Sequence, residues 1–426
     1  MRPTAHQIPG LVLVDHRFAL PLDHTDPSKG RITVFAREVR APGRDKEKIP
    51  WLVFFQGGPG FASPRPTGSS GWIKRAVREF RVLLLDQRGT GLSSRIDAGA
   101  LAALGSAENI AAYLRHFRAD SIVADAEEIR KSIGGDAPWT ALGQSFGGFC
   151  VTHYLSIAPE GLSTALITGG LPPLTASADE IYRATYRRVL SRNRRYFERY
   201  PEDRETVQRL VLHLRDHETH LPGGGRLTRR KLQQLGFAFG MSDGFETVHY
   251  LLEEAFGDEL SGGQVSYPFL RGVENQLPFE MHPLYVILHE ACYAQESATL
   301  WSAERIRSEF PELDADDPFL FNGEMVFPWM LQEYPRLRPL EEAAHILAQD
   351  RDWMRLYDAK RLAENRVPAS AVIYHDDMYV ERAFSEETAD AIRGMRAWVT
   401  NEYDHNGLRA DGERILDRLL AMARGE

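Results

Sequence analysis

Cysteine is scarce in this chain of 426 residues: Cys150 and Cys292 are the two present, too few for a disulfide framework and without zinc-ligand spacing. Both read as packed small residues, and a reducing cytoplasm is the expected compartment. Long apolar runs are missing as well, which excludes a membrane-spanning helix. Met1–His6 has no apolar core of the kind a secretory signal needs. Positive charge falls short of negative: 51 Lys and Arg against 60 Asp and Glu leave a net charge of -9. That balance argues against a general nucleic-acid binder and suits cationic or small neutral ligands. Internal repeats and low-complexity tracts are lacking, so the chain is no repeat array. What remains, 43% apolar and 26% charged, is an ordinary globular composition, long enough for a large core and two domains.

What is there is an alternation of short apolar runs and helical stretches. Leu11–Val14 and Arg31–Ala36 read as strands separated by a polar turn. Pro50–Phe55 and Arg81–Leu85 are continuous apolar runs that fit strands buried on both faces. Ser121–Ile133 carries apolar residues at helical spacing, and Ala165–Gly170 reads as a further strand. Strands alternating with helices and ending in glycine-rich turns predict an α/β fold, a mainly parallel sheet with helices on both faces. From about 173 to 366 the pattern turns mostly helical, with Asp243–Glu246 spaced as a capping box. So long a stretch is a second domain set into the first, dividing the chain into 1–172, 173–366 and 367–426. The sheet pattern resumes at Ala369–Tyr374, followed by an expected helix over Ser385–Val399 and a closing one from Asp411 to Met422.

The chemistry centres on Gly143-x-Ser145-x-Gly147. Trp139–Leu142 ahead of it fits a strand and Phe149–Leu155 behind it a helix, the setting of a nucleophile elbow with the Ser145 hydroxyl at the tip. A serine hydroxyl needs a base to take its proton, and the base needs a carboxylate to hold its tautomer. In this architecture the acid and then the histidine follow the serine. Among the histidines after the helical stretch, His405 alone comes after a carboxylate that follows a sheet strand. Asp376 and Asp377 both stand where the acid belongs; Asp377 is favoured, while Asp86 is expected to brace its own turn. The oxyanion requires backbone donors, which Phe146 and the turn carrying Gly57 and Gly58 can supply. No cofactor is called for, and His289-Glu290 lacks a second histidine at metal-ligand spacing.

Three segments together resemble the proline iminopeptidases (prolyl aminopeptidases) of the α/β-hydrolase fold. Gln56-Gly57-Gly58-Pro59-Gly60 is similar to their oxyanion turn, although Gln56 stands where histidine is usual. Asp86-Gln87-Arg88-Gly89-Thr90-Gly91-Leu92-Ser93 and Gly143–Gly148 match their Asp-Gln-Arg-Gly turn and elbow. The resemblance implies that the helical insertion is a cap, larger than in the smaller members. It also implies a serine aminopeptidase releasing N-terminal residues, preferably proline, from small peptides with a free N-terminus. Cap glutamates would bind the substrate ammonium, with Glu290 and Glu324 as candidates. Phe61, Phe146, Phe327 and Trp329 are candidates for the walls of a proline slot. An esterase or amidase on the same scaffold is the alternative, and it has no need of the cap acids. Oligomeric state and peptide length limit stay open.

Overall fold

The computed structural model describes residues 4–44, 47–257 and 263–426. Among these, nine strands form the central sheet: β1 (Thr4–Ile8), β2 (Leu11–Pro21), β3 (Arg31–Arg40), β4 (Trp51–Phe55), β5 (Arg81–Asp86), β6 (Trp139–Gln144), β7 (Leu162–Thr168), β10 (Ala369–Tyr374) and β11 (Met395–Thr400). A two-stranded ribbon, β8 (Thr219–His220) with β9 (Arg226–Leu227), lies outside it. The sheet runs β1-β2-β3-β5-β4-β6-β7-β10-β11, antiparallel as far as β5 and parallel from there on. This is the expected mainly parallel α/β sheet, with an antiparallel edge that is longer than the sequence pattern predicts.

The apolar runs become strands because both faces are covered. Along β4, Val53 and Phe55 enter one core while Leu52 and Phe54 enter the other. The same period-two division separates Leu83 and Leu85 from Val82 and Leu84 on β5. One core is closed by the Ala119–Gly134 helix through Ile122, Val123, Ala126 and Ile129, and by the Phe146–Ile157 helix. The other is closed by Gly412–Arg424, which buries Ile415, Leu416, Leu419 and Leu420 on one stripe. Each such Leu or Ile contributes about 1.5–3 kcal/mol through burial.

Two local expectations are corrected. The helix expected over Ser385–Val399 ends at Ala391; Gly394 takes a φ of 77°, and Met395–Thr400 continues as β11, parallel to β10. The capping box expected at Asp243 does not form, because the Asp243 carboxylate faces Arg409 at 2.8 Å. A capping box forms at Ser177 and Glu180 instead, opening the longest helix of the segment between β7 and β10, Ala178–Arg199.

Candidate active site

The candidate residues gather where β4, β6, β10 and β11 reach their carboxyl ends, the edge at which open α/β sheets bind ligands. Ser145 follows β6 directly and precedes the Phe146–Ile157 helix, with φ 53° and ψ -125°. A side-chain-bearing residue in that region stores on the order of 1–3 kcal/mol of strain. The strain is held by the Ser145 N–H donating to the Thr168 carbonyl at 2.9 Å and by the Gly148 N–H donating back to the Ser145 carbonyl at 2.7 Å. Gly147 is obligatory for a different reason: a Cβ there would fall inside the Phe55 carbonyl at the end of β4. The turn after β4 lies against the elbow, close enough that a Cβ on Gly57 would be 3.1 Å from Ser145 Cβ. Gln87 steadies this turn by donating Nε2 to the Gln56 carbonyl at 3.0 Å.

Asp377 and His405 meet across the ends of β10 and β11, Asp377 Oδ2 lying 2.8 Å from His405 Nδ1. The other oxygen of Asp377 accepts the backbone N–H groups of Tyr379 at 2.8 Å and Val380 at 3.1 Å. Both side chains are buried, and the Tyr379 ring packs edge-on against the imidazole with centroids 4.7 Å apart. Burial works against a charged His405, but the Asp377 charge and hydrogen bond prevail and raise its pKa above the usual 6.5. Asp376 turns outward, where His375 lies 3.0 Å from one oxygen and Arg195 donates to the other at 2.9 Å. The neighbouring aspartates thus have separate surroundings. Asp86 is fully buried and accepts from Ser63 N at 3.0 Å, Leu92 N at 2.8 Å and the Arg65 guanidinium, so it braces its own turn.

Ser145 and His405 open on one cavity of about 580 Å³, which Gly57, Gly58, Phe61 and Glu324 also line. Glu324 comes from the segment between β7 and β10; its Oε1 accepts the Tyr285 hydroxyl at 3.0 Å and lies 3.8 Å from His289 Nε2. His289 is itself held by Tyr182, whose hydroxyl is 3.0 Å from Nδ1. Beside Ser145 a smaller annex of about 10 Å³, roughly one water's room, is lined by Gly58, Phe146, Phe149, Cys292, Tyr293 and Glu324.

Three residues expected at the site lie elsewhere. Glu290 accepts the backbone N–H groups of Ser302 and Ala303, each at 2.9 Å, and closes the N-terminus of the Ser302–Arg307 helix. Burial pushes its carboxyl up to about 7 despite those donors. Phe327 and Trp329 stack on each other with centroids 5.6 Å apart, under the guanidinium groups of Arg307 and Arg230, away from the cavity. They are packing residues, as buried aromatic pairs usually are. Conversely, Phe237, Tyr285 and Tyr379 line the cavity and were not anticipated. Tyr379 had a local signal, two residues beyond Asp377; Phe237 and Tyr285 had none.

A mainly parallel sheet covered on both faces, with a strained serine at the tip of a strand-turn-helix, defines an α/β-hydrolase. Residues 50–224 match the alpha/beta hydrolase fold family. Over 425 residues, 99% of each chain, the sequence is 49% identical to a proline iminopeptidase of Aeromonas sobria. It is 32% identical to a proline iminopeptidase of Aspergillus aculeatus over 416 residues, 95% of this chain and 92% of that one. The chain belongs to the proline iminopeptidase family of α/β-hydrolases. No helix among the described residues is long and apolar enough to cross a membrane.

Proposed function

We propose that the protein is a serine aminopeptidase that releases N-terminal residues, preferably proline, from small peptides. Ser145 Oγ attacks the carbonyl carbon of the first residue while His405 Nε2 takes its proton. Asp377 holds Nδ1 and stabilises the imidazolium that results. The backbone N–H of Phe146, with that of Gly57 or Gly58, receives the oxyanion. His405 then gives its proton to the departing amine, leaving an acyl-enzyme. Water, activated by the same histidine, hydrolyses it and restores Ser145.

A free N-terminus is selected by Glu324, a carboxylate 12% exposed that faces the cavity and pairs with the substrate's ammonium. Phe61 and the Phe146 annex bracket the first side chain. Segment 173–366 acts as the cap, and the enzyme works in the cytoplasm, in keeping with two buried, unpaired cysteines. The observation that carries this reading is the convergence of Ser145, His405 and Glu324 on one cavity.

Initial rates on prolyl, alanyl, leucyl, glutamyl and N-blocked prolyl naphthylamides test it. Expected are rapid cleavage of the free prolyl compound, none of the blocked one, no activity in Ser145→Ala, and a KM raised roughly tenfold or more in Glu324→Gln. Equal cleavage of free and blocked substrates would point instead to an esterase or amidase.

A further inference from the structure

The cavity beside Ser145 is electrically asymmetric. Its acidic, lysine and arginine lining residues among the described residues are Glu324, Arg65 and Arg409. Glu324 is at the inner end, in the company of buried Tyr285 and Tyr379, with a side chain 12% exposed. The arginines lie toward solvent, at 38% for Arg65 and 63% for Arg409, beside exposed Thr67 and Ser70. They reach the cavity from two different elements. Arg65 follows the turn after β4, and Arg409 lies in the short helix just past His405.

Neither guanidinium is used by the chemistry proposed above. Arg65 is clamped by the buried Asp86, which also accepts from Ser63 and Leu92, and it donates Nη1 to the Ser63 carbonyl at 2.9 Å; of the pair, Arg65 lines the cavity and Asp86 does not. Arg409 gives one nitrogen, Nη2, to Asp243 at 2.8 and 3.1 Å, in a pair exposed on both sides. Such a pair is worth little in water, so Arg409 can exchange Asp243 for a ligand's carboxylate at small cost. The volume of about 580 Å³ has room for a di- or tripeptide.

We infer that the mouth of this cavity is a carboxylate site, in which Arg409, supported by the fixed charge of Arg65, binds the free C-terminus of a short peptide whose N-terminus lies at Glu324. The inference rests on the aminopeptidase reading and narrows its substrate class to di- and tripeptides with both termini free. A zwitterionic peptide matches the cavity's polarity along its whole length. A longer or C-terminally blocked peptide loses the outer contact while keeping the scissile bond.

The test compares kcat/KM for Pro-Ala, Pro-Ala-amide and prolyl naphthylamide in the wild type and in Arg409→Gln. In the wild type Pro-Ala is expected to be cleaved about two- to fivefold more efficiently than its amide, chiefly through KM. The preference shrinks at about 0.5 M salt, where an exposed charge contact is screened. In Arg409→Gln the acid-to-amide ratio falls toward one. Equal efficiency on acid and amide in the wild type, with the naphthylamide still cleaved, overturns the carboxylate site and leaves the aminopeptidase standing. A ratio unchanged in Arg409→Gln overturns it too. Cleavage of none of the three would overturn both readings.

Discussion

Asp376 and Asp377 are chemically identical neighbours, and what distinguishes them is two backbone N–H groups. Tyr379 and Val380 fix one oxygen of Asp377 and leave the other for His405, whereas Asp376 is drawn outward by Arg195 and His375. Asp377→Asn is therefore expected to lower kcat by about 10⁴, because the amide favours the wrong imidazole tautomer. Asp376→Asn is expected to stay within a few-fold, and steady-state kinetics on prolyl naphthylamide separates the two. A pH profile reads the same pair from the other side. With His405 as the proposed base, activity would need its neutral form and would be lost as pH falls through its pKa, which Asp377 raises against burial. The acid limb of kcat/KM is expected above pH 6.5, and in Asp377→Asn it moves down, since only the charges of Glu324 and Asp404 then oppose burial.

Elements add constraints that single residues do not reveal. Glu290 closes a helix whose first N–H groups are buried, and its carboxyl ionises near 7 when folded against 4.5 when free. Between those values the folded state binds more protons, so this group's contribution to stability falls as pH rises, by roughly 3 kcal/mol across the window. In Glu290→Gln that slope should vanish; urea midpoints at pH 5 and 7, closer together than in the wild type, would register it. The role was hidden in the sequence because an acid among apolar residues looks the same whether its partner is a ligand or a helix end. β11 was hidden for a related reason: Ile392, Met395 and Trp398 keep a spacing of three, which imitates a helix across the break at Gly394. The elbow was legible because its glycines answer to close contacts within a few residues. The two acids after β10 were legible as a pair, but the turn that ranks them is three-dimensional. Phe237 and Tyr285 reach the cavity from distant sequence, and nothing local marks them.

At the scale of the molecule, the site is held together by a row of arginines on the Ala178–Arg199 helix. Arg188 grips Glu381 through two bonds of 2.7 Å, Arg192 reaches the Asp376 carbonyl at 2.7 Å and the Asp404 carboxylate, and Arg195 meets Asp376 at 2.9 Å. Their spacing of four and three puts all three on one helix face. That face is turned to the loops that carry Asp377 and His405. Arg192→Met, at a side chain 6% exposed, should destabilise by about 2–4 kcal/mol in urea unfolding and depress kcat together with stability. Arg195→Met, at 51% exposed, should change stability by less than about 1 kcal/mol. The riveting has a consequence for traffic. If segment 173–366 is the cap and Asp377 and His405 handle the proton, as proposed, a cap that swung aside like a trapdoor would drag those loops with it and dismantle the catalyst at each opening. On the proposed reading, peptides would instead enter past Arg65 and Arg409, the exposed arginines that line the cavity. The enzyme would then sort its diet by calibre, as a sieve does, and folded proteins would be turned away at the threshold however their first residue reads.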